Sequence, residues 1–173
     1  MTLTRLVARP MLASMFVVGG LNSLRNAPSL AAKAEPVTET LTGLADKVAP
    51  DAPIPHDPTT LVRINGAVQV GAGLLLATGH VPRLSSAALA ATLVPTTAAG
   101  HRFWEEKDPA ARAQQRIHFF KNVSMLGGLL LASVDTEGKP GLAWRARHGA
   151  RDARREARHL AATAKREAKL AVS

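Results

Sequence analysis

The chain has 173 residues, of which 46% are hydrophobic but only 3% aromatic, and its formal net charge is +9. Cysteine is absent, which excludes a disulfide, a thiolate metal site and a thiol redox relay within the chain. A soluble core of this size usually relies on several aromatic side chains, so the abundance of Ala, Leu, Gly and Val instead favours close helix packing in lipid.

Four segments, taken in chain order, predict membrane-crossing helices. They cover about residues 3–24, 61–79, 82–100 and 115–134. At 1.5 Å per residue each segment can cross a hydrocarbon core of about 30 Å, the first and third only just. Within the first helix, the arginines at positions 5 and 9 are expected to extend toward the headgroups. The sequence therefore predicts an all-α protein built on a four-helix transmembrane bundle.

The connections between these segments carry helix-breaking residues. Residues 25–60 contain six prolines and predict a loop or short surface helices, one of which could be Thr38–Val48. Residues 79–82 predict a tight turn, and residues 102–114 predict a charged connection. Glycines at 19–20, 71–73 and 127–128 lie inside apolar helices, where they favour close packing over phosphate binding.

The last part of the chain predicts a basic tail, so that residues 1–137 form the membrane domain and residues 138–173 the tail. Ala, Arg, Lys and Glu dominate the tail and favour an exposed helix. We expect its arginines to lie on anionic membrane lipid, with a solvated tail without a partner as the alternative. Nucleic acid is not expected, since no aromatic stacking residue follows Trp144. The arginines are Arg145, Arg147, Arg151, Arg154, Arg155 and Arg158.

Four crossings place both termini on the same side of the membrane. The positive-inside rule then puts the tail and both termini in the cytoplasm. A cleavable signal peptide is the competing interpretation, because Arg5 and Arg9 precede an apolar run that leads to Ala32-Lys33-Ala34. The stretch between Leu24 and Ala34 is long for a cleavage region, so we expect the first helix to be retained.

Several short patterns in the four helices resemble those of the DoxX family of bacterial membrane proteins. They are Arg9-Pro10 before Phe16 and Gly19-Gly20, then Asn65, Gln69-Val70 and Ala72-Gly73-Leu74, His101-Arg102-Phe103-Trp104, and Phe120-Lys121-Asn122. The resemblance covers about residues 3–134 and implies a four-helix, multi-pass protein of the bacterial inner membrane. The family name comes from a subunit of a thiosulfate:quinone oxidoreductase, and other members are linked to redox-stress complexes. The resemblance thus implies quinone as a cofactor and redox proteins as partners, and leaves open whether the chain catalyses a reaction.

Polar side chains within the predicted helices are the candidates for a ligand site, because polar groups are costly inside a membrane. Cations and amides suit an anion or a quinone carbonyl, and an imidazole could move a proton. The candidates at the outer end of the bundle are Arg63, Asn65, Gln69, His101, Trp104, His118, Lys121 and Asn122.

A purely structural role for these residues is the alternative. Amides in membrane helices often bond only to neighbouring helices, at about 0.6 kcal/mol each. Arg63 could extend to the headgroups, and Trp104 is placed as an interface anchor. Lys121 is the hardest to explain in this way, because it needs a partner such as Glu105 or Glu106, or a ligand. Both interpretations remain open from the sequence.

The sequence predicts no metal site and assigns no catalytic residue, because it has neither a His-x-x-x-His spacing nor an acidic ligand cluster. Three functions remain. The first is a redox-associated membrane subunit that binds quinone or a small anion. The second is a non-enzymatic scaffold whose tail recruits lipid or protein, and the third is a small transporter, which four unbroken helices disfavour unless the protein dimerises.

Overall fold

The computed structural model describes residues 3–51, 53–136, 138, 144 and 147–159, and all the regular structure in them is helical, as the sequence predicts. The helices are α1 (Leu3–Arg25), α2 (Ala27–Val48), α3 (Pro58–Thr78), α4 (Pro82–Gly100) and α5 (Pro109–Val134). Residues 147–159 of the tail are also helical. The chain divides into two compact units, Met1–Asp135 and Thr136–Ser173.

Capping aspartates explain why α3 and α5 begin earlier than predicted. The Asp57 carboxylate accepts a 2.8 Å hydrogen bond from the Thr60 backbone N–H, and the Asp108 carboxylate accepts one of 2.7 Å from the Ala111 N–H. Each aspartate is followed by a proline at the first helical position, where the missing N–H costs nothing. The hydroxyl and backbone N–H of Thr60 hold the pKa of Asp57 below its ordinary value. The helix α5 therefore begins at Pro109 rather than near residue 115.

Residues 25–60 are predicted to form a loop or short surface helices, and the helical alternative at Thr38–Val48 lies within one longer helix. Residues 27–48 form the 22-residue helix α2, which includes Pro36, and the Pro-rich connection is confined to residues 49–57. Pro28 lies in the first turn, where helices tolerate proline. The helix α2 packs against α3 and α4 and buries Ala27, Ala31, Thr38 and Thr42, and this tertiary packing stabilises a helix that its prolines disfavour.

The tight turn predicted at residues 79–82 is confirmed. Gly79 ends α3 with φ of 75°, a left-handed conformation that glycine adopts without penalty, and its N–H donates to the Leu76 carbonyl. Val81 also has a positive φ, of 42°, which is uncommon for a β-branched residue. Pro82 then begins α4. This short turn makes α3 and α4 antiparallel neighbours.

Four helices contribute to one hydrophobic core. Its fully or nearly fully buried members come from α1, α3, α4 and α5 and are Ala13, Phe16, Ala72, Leu76, Leu89, Ala90, Leu93 and Leu129. The contact between α1 and α3 is the most extensive in the unit. There, an added Cβ on Gly20 would lie 2.7 Å from the Gly66 carbonyl oxygen, so the two backbones touch. The glycines at 20, 66 and 73 serve the predicted close packing, whereas Gly71 and Gly127 face open space.

The bundle has two ends of different chemistry, for which we use two names. The arginine end is where α1 begins, α4 begins and α5 ends. The histidine end is where α1 ends, α3 begins and α4 ends next to His101. Both ends of α2 are held at the histidine end. Hydrogen bonding continues from α1 through Asn26 into α2, and the Asp46 carboxylate lies 3.1 Å from Nε2 of His56, two residues before α3.

Three helices of the described residues are long and apolar enough to cross a membrane. They are Leu3–Arg25, Pro58–Thr78 and Pro109–Val134. The helix α4, at the predicted residues 82–100, is not among them, and it contains five serines and threonines. Those hydroxyls are satisfied within the helix: Ser86, for example, donates to the Pro82 carbonyl at 2.7 Å, and Thr97 to the Leu93 carbonyl at 2.7 Å.

At the arginine end, charged side chains join the start of α1 to the end of α5, and we call this group the charged clamp. Arg5 makes two hydrogen bonds to Asp135, from Nε to Oδ2 at 2.8 Å and from Nη2 to Oδ1 at 2.9 Å. Arg9 is buried, with Nη2 4.0 Å from the same carboxylate. Arg83 of α4 donates to the Ser133 carbonyl at 3.0 Å. The sequence predicts that Arg5 and Arg9 reach toward headgroups, whereas the structure shows that they join the start of α1 to the end of α5.

Candidate functional site

A layer of amide and hydroxyl groups links three helices near the histidine end. Asn65 and Gln69 of α3 each donate to the Thr96 hydroxyl oxygen, both at 3.1 Å. Asn122 of α5 donates to the Thr97 hydroxyl oxygen at 3.0 Å. Gln69 and Asn122 are buried, with 4% and 5% exposure. Since each amide N–H₂ has a hydroxyl partner on α4, these three predicted site residues primarily hold α3, α4 and α5 together.

A pair of histidines lies one turn beyond this layer. His101 follows the last residue of α4, and His118 lies in α5, with their ring centroids 5.2 Å apart and the ring planes inclined by 27°. The His101 backbone N–H donates to the Thr97 carbonyl at 3.0 Å, which fixes His101 to the end of α4. The two predicted histidines are therefore stacked against each other at the histidine end.

Two glutamines orient the imidazoles. The His101 Nδ1–H donates to the Gln115 Oε1 at 2.7 Å, and the Gln114 amide N–H₂ donates to the Nε2 of His118 at 3.0 Å. These partners assign His101 as the Nδ1–H tautomer and give His118 a proton on Nδ1 as well. Within the described residues, Nε2 of His101 and Nδ1 of His118 have no hydrogen-bond partner. The pair thus offers one lone pair and one N–H to a ligand.

An aromatic cluster adjoins the histidines in the sequence and in space. Phe103 and Trp104 directly follow His101 and Arg102, and Phe119 and Phe120 directly follow His118. Ring centroids are 5.2 Å apart for Phe103–Trp104, 5.4 Å for Phe103–Phe119 and 5.9 Å for Trp104–Phe119, in edge-to-face geometry. Trp104 and Phe120 are 54% and 56% exposed, so the cluster presents an open apolar surface next to the imidazoles.

The two cations among the predicted site residues lie apart from these hydrogen-bonded groups. Arg63 of α3 and Lys121 of α5 are exposed and make no hydrogen bond or ion pair with any described residue. Glu105, which the sequence offers as a partner for Lys121, pairs with Arg102 at 3.4 Å instead. Lys121 is close enough to act electrostatically on His118. Of the two cations, Lys121 therefore belongs to the surroundings of the histidine pair.

Sequence reasoning missed the groups that complete the site. Thr96 and Thr97, which accept from the amides, and Gln114 and Gln115, which orient the histidines, were not among its candidates. A weak signal exists for the glutamines, since Gln114 and His118 are four residues apart on one helix face. No local pattern identifies the threonines, because the contact depends on which face α4 turns toward α3 and α5.

The tail unit has its own arrangement of charge. In helix 147–159, Arg147, Arg151, Arg154 and Arg158 recur every three or four residues and so share one face, beside Arg155. Asp152 and Glu156 lie on the opposite face. The prediction for Arg145 falls outside the described residues. Trp144 stacks on His148 with ring centroids 3.6 Å apart.

An apolar groove of about 310 Å³ lies between α3 and α4. Its lining comes from Val68, Gly71, Ala72, Leu75, Val81, Leu84, Ser85 and Ala88, without any of the predicted site residues. Among the residues that the structure describes, no three His, Asp or Glu side chains converge as metal ligands would. The histidine pair with its aromatic cluster is therefore the candidate site that the geometry favours.

Comparison with known proteins gives one match. The family model described as DoxX matches residues 4–102 of this chain, which is more than half of its length. The matched region runs through α1, α2, α3 and α4 to Arg102 and so includes His101, but it ends before His118, Lys121 and Asn122. Searches of curated proteins and of solved structures gave no match.

Proposed function

Because the chain belongs to the DoxX family of membrane proteins, we propose that it is a redox-associated subunit of the bacterial inner membrane that binds a quinone or a small anion at its histidine end. The single observation that carries the proposal is the oriented pair of His101 and His118 beside an exposed aromatic cluster. Electrons would come from a partner redox protein, and the imidazoles would exchange protons with the quinone.

The chemistry of the pair suits a quinone better than an anion. A quinone carbonyl needs an N–H donor and a quinol hydroxyl needs an acceptor, and Nδ1 of His118 and Nε2 of His101 provide one of each. The flat quinone ring can stack on Trp104 or Phe120, while its isoprenoid tail extends into lipid. A small anion would instead need converging cations, whereas Arg63 acts electrostatically on Asp57 and Lys121 on His118.

The same proposal includes four membrane crossings by α1, α3, α4 and α5. If only the three most apolar helices crossed, the start of α1 and the end of α5 would lie on opposite faces of a hydrocarbon core of about 30 Å. Arg5 Nε is instead 2.8 Å from Asp135 Oδ2. An even number of crossings satisfies this distance, and α4 provides the fourth. The basic residues of the arginine end then face the cytoplasm, together with both termini.

The chain has no cysteine, so single introduced cysteines test this topology directly. His80→Cys and Lys107→Cys lie in the connections before and after α4, and both positions are exposed. A membrane-impermeant maleimide added to intact cells should label the protein at position 107, and at position 80 only after permeabilisation. Arg155→Cys in the tail should behave as His80→Cys does. Equal labelling of positions 80 and 107 in intact cells would show that α4 does not cross.

Quinone binding is expected to raise the midpoint of thermal unfolding of the purified full-length protein in mild detergent. A ligand at 100 times its Kd stabilises the folded state by about 2.7 kcal/mol, which corresponds to several degrees for a chain of this size. We expect short-chain ubiquinone or menaquinone analogues to produce this shift, and His118→Leu to abolish it, because that variant removes the free Nδ1–H.

The matched control is His80→Leu, since His80 is an exposed histidine at the arginine end and should keep the full shift. No shift with either quinone analogue would refute quinone binding. A shift with phosphate or sulfate that Lys121→Leu or Arg63→Leu abolishes would favour the small-anion alternative.

A second candidate function is a non-enzymatic scaffold whose tail recruits lipid or protein. The observation that favours it is the arginine face of helix 147–159, which has its acidic residues on the opposite side. Removing residues 142–173 separates the two functions. If the first proposal is correct, the shortened protein should still bind quinone. If the second is correct, it should lose its function in cells, whether or not His118 is also substituted.

A further inference from the structure

We propose that α2 is an amphipathic helix that lies in the membrane–water interface at the histidine end, with an apolar stripe inserted among lipid acyl chains. The helix α2 lies in the segment that the sequence predicts to be a loop or short surface helices, and its role is independent of quinone binding. It rests on the order in which four kinds of side chain follow each other around the helix.

The first kind is an apolar stripe whose residues lie outside the hydrophobic core. Its residues recur at spacings of three, four or seven and therefore share one side of a helix with 3.6 residues per turn. They are Leu30, Val37, Leu41, Leu44 and Val48. Leu41, Leu44 and Val48 are 44%, 55% and 85% exposed. Leu30 and Val37 are half-buried, so the exposed part of the stripe lies in the second half of α2, where in water it would remain uncovered.

The second kind is the packing face of α2, which lies about a quarter turn from the apolar stripe. Its buried residues are small: Ala27, Ala31, Thr38 and Thr42. This face packs against α3 and α4, so the bundle occupies one flank of α2 and leaves Leu41, Leu44 and Val48 exposed. A helix held in this way points its stripe along the side of the bundle, where the acyl chains around α3 and α4 would lie.

The third and fourth kinds are basic and acidic side chains, which lie on different sides of the helix. Lys33 and Lys47 border the apolar stripe on the flank away from the bundle, at the position where side chains can reach anionic headgroups. Glu35, Glu39 and Asp46 lie roughly opposite the stripe, where they face water. This order of acyl-facing, headgroup-facing and water-facing residues matches a helix lying in the interface rather than a helix docked on a soluble protein.

The attachment of α2 places it at the correct depth. Its first residue follows α1, a helix apolar enough to cross the membrane, with only Asn26 between them. Its last turn returns to the start of α3 through the Asp46–His56 contact of 3.1 Å. At 1.5 Å per residue the helix is about 33 Å long, so with both ends held at the histidine end it lies roughly parallel to the membrane surface at that end. Lipid is therefore the occupant that both the charges and the attachment favour.

Depth-dependent quenching tests the proposal in the full-length protein. Leu44→Cys on the apolar stripe and Glu39→Cys on the water-facing side each introduce a unique thiol at an exposed position. Each variant is labelled with the fluorophore NBD and reconstituted in phosphatidylcholine–phosphatidylglycerol vesicles that contain lipids with a doxyl group near the headgroup. We expect quenching at position 44 to be at least threefold stronger than at position 39, with emission shifted to the blue.

Two results would overturn the proposal. One is equal quenching at positions 44 and 39, which would mean that the apolar stripe does not enter the bilayer. The other is weak quenching at position 44 together with a dimer formed by a bis-maleimide in the unlabelled Leu44→Cys protein, which would make the stripe an interface between two copies of the chain. Neither result would affect the quinone-dependent thermal shift, so the two proposals fail separately.

Discussion

The substitution Gly66→Ala is expected to lower the midpoint of thermal unfolding by several degrees, which is one of the two largest losses of stability that we expect from a single substitution. A Cβ on Gly66 would lie 2.9 Å from the Gly20 carbonyl oxygen and 3.0 Å from the Ser23 Cβ. A backbone oxygen cannot rotate away, so α1 and α3 must separate along their most extensive contact. Overpacking of this kind costs about 1–3 kcal/mol.

The matched control for this substitution is Gly71→Ala in the same helix. An added Cβ on Gly71 meets nothing within 4 Å, and alanine favours the helix, so its stability should be unchanged or slightly raised. The fraction of protein that stays monodisperse on size exclusion after heating measures both variants in detergent. An equal loss of monodisperse protein in the two variants would mean that the close approach of Gly20 and Gly66 does not limit stability.

Local pattern predicts the core-forming helices well because each of them carries its own signal. The bounds of α1, α3 and α4 lie within three residues of the predicted segments, since apolar composition sets their length. The local signal for α2 covers only Thr38–Val48, the second half of the helix. Pro28 and Pro36 indicate a break, and the helix forms because its Ala and Thr face packs on α3 and α4, a contact between segments that no local pattern contains.

The candidate site likewise has a part that the sequence predicts and a part that it does not. Asn65, Gln69 and Asn122 stand out in the sequence because amides are costly in lipid, and the structure supplies their partners on α4. Their grouping with Arg63 as one ligand pocket has no contact to support it, whereas the His101–His118 pair does. Pairing depends on how helices rotate about their axes, and that rotation follows from the packing of the whole core.

Loss of the carboxylate in Asp135→Asn is the second large effect that we expect. The carboxylate receives two hydrogen bonds from Arg5 and lies 4.0 Å from the buried Arg9, so the substitution weakens the ion pairing of both arginines. Breaking a fully buried pair costs about 3–5 kcal/mol, but the Asp135 side chain is 31% exposed, and we therefore expect about 2 kcal/mol. The same heating series followed by size exclusion measures the loss.

The control for this substitution is Asp51→Asn, the same chemical change at an exposed position in the connection after α2, which should leave stability unchanged. Combining Asp135→Asn with Arg5→Gln distinguishes a direct interaction from a general charge effect. If the two side chains stabilise the protein by interacting with each other, the double variant should lose less stability than the two single variants lose in sum. Strictly additive losses would mean that the clamp does not hold the first helix to the last, and would remove the main support for a fourth crossing by α4.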